Sequence, residues 1–299
     1  METLNYRGRP STVFYHLSFI TESQGRIELK DMKIEVLGTV QDGGVPHLGC
    51  NCDVCKEARE DQRKQKYNAS IMVKTDSSKD STRYLIDATP DIRYQINGEY
   101  IDGVFISHGH LGHITGLLHL GEEALDADMI PVHVTDKTED YLKKNDPFRL
   151  LLDKNNIEIR EFNDGHTQEV QGGKIEARET THTGVNTDSL SFMIHGEDKK
   201  LFYMSDIHAW SEETLESVKE ADIAIIDGTF WNEEEIDRYH EVPHPVMKET
   251  MHKAQDWDTE IIFTHLNHTN PALRPDTEER QELEERGFKV AERGMEFEI

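Results

Sequence analysis

The stretch Ser107-His108-Gly109-His110-Leu111-Gly112-His113 closes the apolar run Gly103-Val104-Phe105-Ile106 and opens a helix-like pattern from Ile114 to Ala124. Three imidazoles within six residues, on a strand-to-helix turn where the backbone can splay them towards one point, suit a transition metal of zinc type. The same punctuation recurs outward from this stretch. Short apolar runs end in polar residues able to do chemistry at Ile34–Gly38, Tyr84–Asp87, Leu201–Asp206, Ile223–Asp227 and Ile261–His265. Between them lie helical patterns such as Glu212–Glu220 and Thr277–Arg286, the latter stopped by Gly287. Strands interleaved with helices, with no Pro/Gly/Ser-rich linker and no repeat, read as one α/β domain from Lys33 to Ile299. Residues 1–32 read as a polar extension whose one apolar patch, Val13–Ile20, alternates as a strand does.

Composition narrows the function. The charge sum of −26, from 33 basic and 59 acidic residues, sets up a field that repels phosphate backbones and anionic lipid. Neither nucleic acid nor membrane is an expected partner. No run approaches the length of a membrane span, and the start has no secretory pattern, so a cytoplasmic location is expected. The only three cysteines fall together as Cys50-Asn51-Cys52-Asp53-Val54-Cys55. An odd, tight cluster is poor material for a disulfide framework and good material for thiolate metal ligation, with a histidine as the natural fourth ligand.

Three further positions offer ligands where strands end: Asp206 after Leu201–Ser205, His265 after Ile261–Thr264, and His182, which precedes the strand Leu190–Ile194. The ordered set Asp87, His108-x-His110-x-x-His113, His182, Asp206, His265 resembles the five motifs of the metallo-β-lactamase fold, from about Lys33 to the end of the chain. Gly38-Thr39-Val40-Gln41-Asp42-Gly43-Gly44, leading to the cysteines, is similar to the branch that holds the phosphonate-pathway cyclic phosphodiesterase and pyrroloquinoline quinone biosynthesis protein B. The run Thr264–Pro271, with Gly294-Met295-Glu296, resembles the quinone-pathway family most closely.

The resemblance implies a four-layer αβ/βα sandwich with a metal site along one edge of the two sheets. His108, His110 and His182 would hold one metal, Asp206 would bridge, His113 and His265 would face a second, and Asp87 would orient a ligand. The family usually carries Asp immediately before the third His, where this chain has Gly112. The second site is therefore expected to lack a carboxylate and to fill substoichiometrically, with Gly112→Asp raising its occupancy if the backbone there does not need φ > 0. The phosphodiesterase branch also implies His268 as the fourth ligand of the cysteine cluster. It further implies a substrate-assisting role for His244, whose neighbours Pro243 and Pro245 stiffen it as a general acid.

The expected activity is that of a zinc-dependent metallohydrolase, a phosphodiesterase acting on a phosphodiester or cyclic phosphate, with Asp206 and His244 as catalytic groups. One structural zinc and one or two active-site zinc ions are expected, with Mn or Fe as active-site alternatives. The expected partners are a small-molecule substrate and a second copy in a homodimer. A rival reading is a cofactor-pathway protein with an oxidative or carrier role. The tail similarity favours that rival, but the quinone-pathway protein tends to lack the full His-x-His pair present here. A third reading, a zinc-stabilised binding module, requires the active-site histidines to be idle.

Overall fold

The structure, a computed structural model, describes residues 32–75, 81–184, 187–237, 239–242 and 244–299, without the side chains of residues 182–184 and 187. The expected strand Val13–Ile20 lies outside the described residues, as does all but the last residue of the expected extension.

Among the described residues fourteen strands form two seven-stranded sheets. The first holds β1 (Met32–Gly38), β2 (Ser70–Thr75), β3 (Thr82–Ile86), β4 (Gly103–Phe105), β5 (Ile130–Val134) and β6 (Ile157–Glu161). The second holds β7 (Thr167–Val170), β8 (Gly173–Gly184), β9 (Thr187–His195), β10 (Lys200–Met204), β11 (Ile223–Asp227), β12 (Glu260–Thr264) and β13 (Lys289–Val290). The last strand, β14 (Glu296–Glu298), returns to the first sheet beside β1. In each sheet one half is antiparallel and the other parallel: β3 to β6 run parallel in the first, β10 to β13 in the second.

Strand periodicity explains the layering. Side chains alternate faces along a strand, so a strand covered on both sides must be apolar throughout. On β10, Leu201 and Tyr203 join Ile34, Ile71 and Phe105 of the first sheet in the core between the sheets. Phe202 and Met204 point the other way, onto Val218 of the helix Glu212–Glu220 and Met247 and Met251 of the helix Met247–Ala254. The first sheet repeats the arrangement, with Leu85, Val104 and Val132 facing outward onto Ile114, Leu117 and Leu142. The expected helix–sheet–sheet–helix sandwich is thus present. Among the described residues no helix is long and apolar enough to cross a membrane.

The outer helices start where their caps dictate. Ser211 and Thr277 accept from the backbone N–H of Thr214 and Arg280, three residues on, and acidic residues fill both first turns. The expected helix Ile114–Ala124 is a correction. A short α-turn, Leu111–Ile114, tightens into a 3-10 segment, Thr115–Leu120, and ends before Gly121. Gly116 is the reason. Its N–H donates to Ala88 O at 2.8 Å instead of continuing the helix ladder, and the approach is so close that a Cβ there would lie 2.3 Å from Thr89 O.

His133, on β5, stacks on Phe105 with ring centroids 4.3 Å apart and sits in register with Arg160 of β6. Burial, reinforced by the Arg160 charge, pushes the His133 ring down from 6.5 to about 4. The unfolded chain therefore takes up this proton first, and the stability owed to a neutral ring is present above the ordinary value and is lost as pH falls towards about 4. Between pH 7 and pH 5 the loss should be on the order of 1–2 kcal/mol. Unfolding free energies from urea titrations at the two pH values are expected to differ less in His133→Gln than in the wild type by that amount.

Candidate metal centre

The parallel strands of both sheets deliver their carboxyl ends to one edge of the sandwich, where ligands gather in such folds. Asp87 follows β3, Ser107 and His108 follow β4, Asp206 follows β10, Asp227 ends β11 and His265 follows β12. Two of these residues take left-handed backbone, Asp87 at φ 66° and His265 at φ 60°, a conformation that costs a non-glycine residue energy and concentrates at functional sites.

Asp87 is fully buried and organises the histidine turn. One of its oxygens accepts from the backbone N–H of Ser107 at 2.8 Å, and the other lies 2.8 Å from Nδ1 of His113. That contact fixes the His113 ring with Nε2 facing the site, as a carboxylate behind a metal-ligating histidine does. Burial would lower the His113 pKa, but the charges of Asp87 and Asp42 raise it well above the usual value.

His108 Nε2 lies 3.0 Å from His110 Nδ1 and 3.6 Å from Asp206 Oδ2. On the other side, His265 turns Nδ1 to Thr229 Oγ1 at 3.0 Å and leaves Nε2 4.0 Å from Asp206 Oδ2. Asp206 therefore stands between His108 and His265, in the place of a bridge. Among the described residues, His113 Nε2 and His265 Nε2 are both buried without a well-aligned hydrogen bond, as befits nitrogens kept for a cation. In tetrahedral zinc sites bonds of about 2.0–2.3 Å put neighbouring donors about 3.3–3.8 Å apart. The His108–Asp206 separation of 3.6 Å falls in that range, the His108–His110 separation of 3.0 Å is shorter than it, and the three donor atoms all lie within 4.8 Å of one another.

His244 sits beside this edge with Nδ1 2.7 Å from Asp227 Oδ2 and 3.5 Å from Asp206 Oδ1. Burial pushes the ring down, yet Asp227 and Asp206 raise its pKa to about 9. Asp227 is itself locked by backbone N–H groups of Thr229 at 2.8 Å and Ile207 at 3.0 Å. Sequence reasoning placed Asp227 only as a strand end. The signal was its position, the last residue of a fully buried strand where a carboxylate has no packing role.

The cysteine cluster assembles with the expected histidine. Cys50 Sγ and Cys52 Sγ lie 3.6 and 3.7 Å from His268 Nδ1, and the donor atoms of Cys50, Cys52, Cys55 and His268 all lie within 4.8 Å of one another. With metal–sulfur of about 2.3 Å and metal–nitrogen of about 2.0–2.1 Å, a tetrahedron has an S···N edge of about 3.6 Å. The donor set and spacing fit a closed zinc site. The remaining expected ligand, His182, is on β8, and its side chain lies outside the described residues.

Asp42 is the carboxylate that sequence reasoning missed. It lies in the loop after β1, with Oδ1 3.2 Å from His113 Nε2 and 3.7 Å from His265 Nε2. The glycine-rich loop was quoted for its resemblance, not for a ligand, and nothing in the local sequence says that its aspartate reaches the histidines.

Comparison with known proteins places these features. The family described as "Beta-lactamase superfamily domain" matches residues 82–266. "Coenzyme PQQ synthesis protein B" of Ruegeria pomeroyi is 25% identical over 301 residues, covering 89% of this chain and 99% of that protein. Among solved structures, Zn(2+)-bound PqqB from Methylobacterium extorquens superposes with a TM-score of 0.77 at 23% identity, covering 89% of this chain and 100% of that one. A diphosphatase from the PhnP family superposes with a TM-score of 0.69 at 24% identity, covering 90% and 97%. Both share the fold described above.

If the cysteine cluster holds zinc, Cys52→Ser removes one thiolate of four and should cost one zinc equivalent and several degrees of melting temperature, because a closed zinc site contributes directly to folding. Elemental analysis and thermal denaturation of the two proteins check this, and retention of both full zinc and the wild-type melting temperature would refute it.

Proposed function

This chain belongs to the beta-lactamase superfamily, and from that premise we propose that it is a metal-dependent hydrolase of a phosphodiester or cyclic phosphate. The observation that carries the reading is the pairing, at one edge, of the His108–His110–Asp206 donor group with a histidine, His244, whose Nδ1 is held by Asp227. A donor group and a proton source side by side are what hydrolysis of a poor leaving group requires.

In this reading His108 Nε2, His110 Nδ1 and Asp206 hold the first metal, with His182 of β8 as the family's remaining ligand, and His113 and His265 face the second. The chemistry that zinc supplies in such a donor set is activation of water near neutral pH and polarisation of a phosphoryl oxygen. Charge makes a metal necessary. Asp42, Asp87, Asp206 and Asp227 converge on this edge of a chain of net charge −26, and without cations they would repel an anionic phosphate.

The protein's own groups do the rest. Asp206 has its carboxylate between the two histidine groups and orients the nucleophile. Asp227 accepts the Nδ1 hydrogen of His244, which fixes the ring and leaves the Nε2 proton for the leaving oxygen. Tyr239 donates its hydroxyl to His244 O at 2.6 Å, and Phe230 packs edge-on against the ring at 5.6 Å, so the acid is held from its backbone and from its face.

A second reading, a cofactor-pathway protein with an oxidative or carrier role, is favoured by the full-length similarity to coenzyme PQQ synthesis protein B. Turnover separates the two. The zinc-loaded wild type is expected to hydrolyse bis-(p-nitrophenyl) phosphate. His108→Ala should abolish turnover without lowering the melting temperature, and at unaltered metal content His244→Gln should reduce kcat by about 10²- to 10⁴-fold on an alkyl or cyclic phosphodiester, whose leaving alkoxide needs a proton, and far less on bis-(p-nitrophenyl) phosphate, whose leaving group does not. Absence of turnover by the loaded wild type, or full turnover by His108→Ala, overturns the hydrolase reading.

A further inference from the structure

Gly112 stands where the superfamily usually has an aspartate, and the volume which that side chain would fill is already taken. A Cβ built on Gly112 would lie 2.2 Å from Asp42 Oδ1, 2.3 Å from Asp42 Cγ and 2.8 Å from Asp42 Cβ. All three nearest atoms belong to one residue. Gly112 does not use a positive φ, so its backbone has no need of glycine, and the space given to Asp42 is the visible reason for the missing side chain. The expectation that Gly112→Asp fills the second site more fully therefore needs correction, because in the wild type the new side chain would collide with a carboxylate already there.

We propose that Asp42 supplies the carboxylate ligand of the second metal, completing a His113–His265–Asp42 donor group with Asp206 as the bridge. The inference rests on the hydrolase reading for the presence of active-site metal and extends it to a residue from a different part of the chain. Asp42 Oδ1 lies 3.2 Å from His113 Nε2 and 3.7 Å from His265 Nε2, close to the spacing of neighbouring donors around zinc. Among the described residues both nitrogens are buried without a well-aligned hydrogen bond, and with Asp42 Oδ1 they form a set of donor atoms within 4.8 Å of one another.

The position of Asp42 is built into the backbone. Val40 forms isolated bridges with both Asn68 and Leu266. Gln41 N–H donates to Leu266 O at 3.1 Å, Leu266 N–H donates to Thr39 O at 3.0 Å, and Asn68 Nδ2 donates to Gln41 O at 2.7 Å. The residue before Asp42 is thus clamped to the residue after His265. A ligand held in this way loses little freedom when a metal binds, which is the condition for a tight site. The second subsite then has three side chains of its own besides the bridge, and full occupancy replaces the substoichiometric filling expected from Gly112.

Metal counting tests this without recourse to activity. The full chain is stripped with a chelator, reloaded with zinc, desalted and analysed for metal, and in parallel titrated with cobalt, whose thiolate charge-transfer absorption reports the cysteine cluster separately. The wild type should hold one equivalent at the cysteines and two at the active site. Asp42→Asn should keep the thiolate absorption and bind the last active-site equivalent at least about 10- to 100-fold more weakly, the loss that removing even an outer partner of a metal site produces. The exchanged variant Asp42→Gly/Gly112→Asp, in which the carboxylate returns to the family's position and the collision is relieved, should regain it. A wild type with no active-site equivalent overturns the hydrolase reading itself. A wild type with two, matched by Asp42→Asn at the same affinity, overturns only the role of Asp42. An equivalent lost in Asp42→Asn and not regained in the exchanged variant marks Asp42 as structural and overturns the proposal as well.

Discussion

The site depends on one junction, where the loop after β1 is fastened to the loop after β12. Strand β1 belongs to the first sheet and β12 to the second, so this contact ties the two sheets together at the edge where the parallel strands end. Backbone hydrogen bonds between Thr39–Gln41 and Leu266 make one fastening, Gln41 Nε2 donating to Asn267 Oδ1 at 3.1 Å makes another, and the Cys50–Cys52–Cys55–His268 group makes a third. His265 lies within this junction at φ 60°. A left-handed non-glycine residue costs about 1–3 kcal/mol and persists only where its surroundings over-determine it. Here Thr229 binds both its ring and its carbonyl, while the next residue is bridged to the β1 loop.

Behind the junction two of the buried carboxylates, Asp87 and Asp227, share one arrangement: each is satisfied by backbone N–H groups on one side and presented to a histidine on the other. Asp87 takes Ser107 N–H and faces His113; Asp227 takes Thr229 and Ile207 N–H and faces His244. Backbone donors give the carboxylate oxygens the hydrogen bonds that burial would otherwise deny them. Their summed field raises His113 and His244 against the desolvation that would lower them. A field that holds protons on imidazoles also draws metal cations. In the proposed reading the Nε2 atoms of His113 and His265, which face inward, are offered to a cation, whereas His244 keeps Nδ1 on Asp227.

How much of this was readable from the sequence follows the range of the interactions. Strand ends are local, so the polar residues that close Tyr84–Asp87, Leu201–Asp206 and Ile261–His265 announced their places, and the spacing of His108, His110 and His113 announced theirs. The cysteine cluster was legible from its own spacing, with His268 reached through family resemblance. Local patterning failed where a distant backbone intervened. The apolar periodicity of Ile114–Ala124 has no means of showing that Gly116 donates to Ala88 and breaks the helix. Asp42 failed for the same reason. It was read as part of a glycine-rich turn, and its role arises from the Val40–Leu266 bridge, a contact between opposite ends of the domain that leaves no periodic trace.

The same junction would couple the two proposed metal sites in a way that neither donor set alone would suggest. Cys50, Cys52 and Cys55 lie at the far end of the loop that carries Asp42, and His268 lies three residues after His265. A metal in the cysteine group therefore fixes both chain segments whose other ends present Asp42 and His265 to the active site. Loop closure without such a tie costs entropy that the second subsite would have to meet each time it assembled. With the tie in place the cost falls in folding, and the donors meet an incoming cation already arranged. On this account the cysteine cluster has a consequence beyond stability, since it sets how well formed the second subsite is before any metal arrives. The first subsite depends on it less directly, because His108, carried at the end of β4, is held from behind by Ser107, whose backbone N–H Asp87 accepts, and meets the second subsite through Asp206.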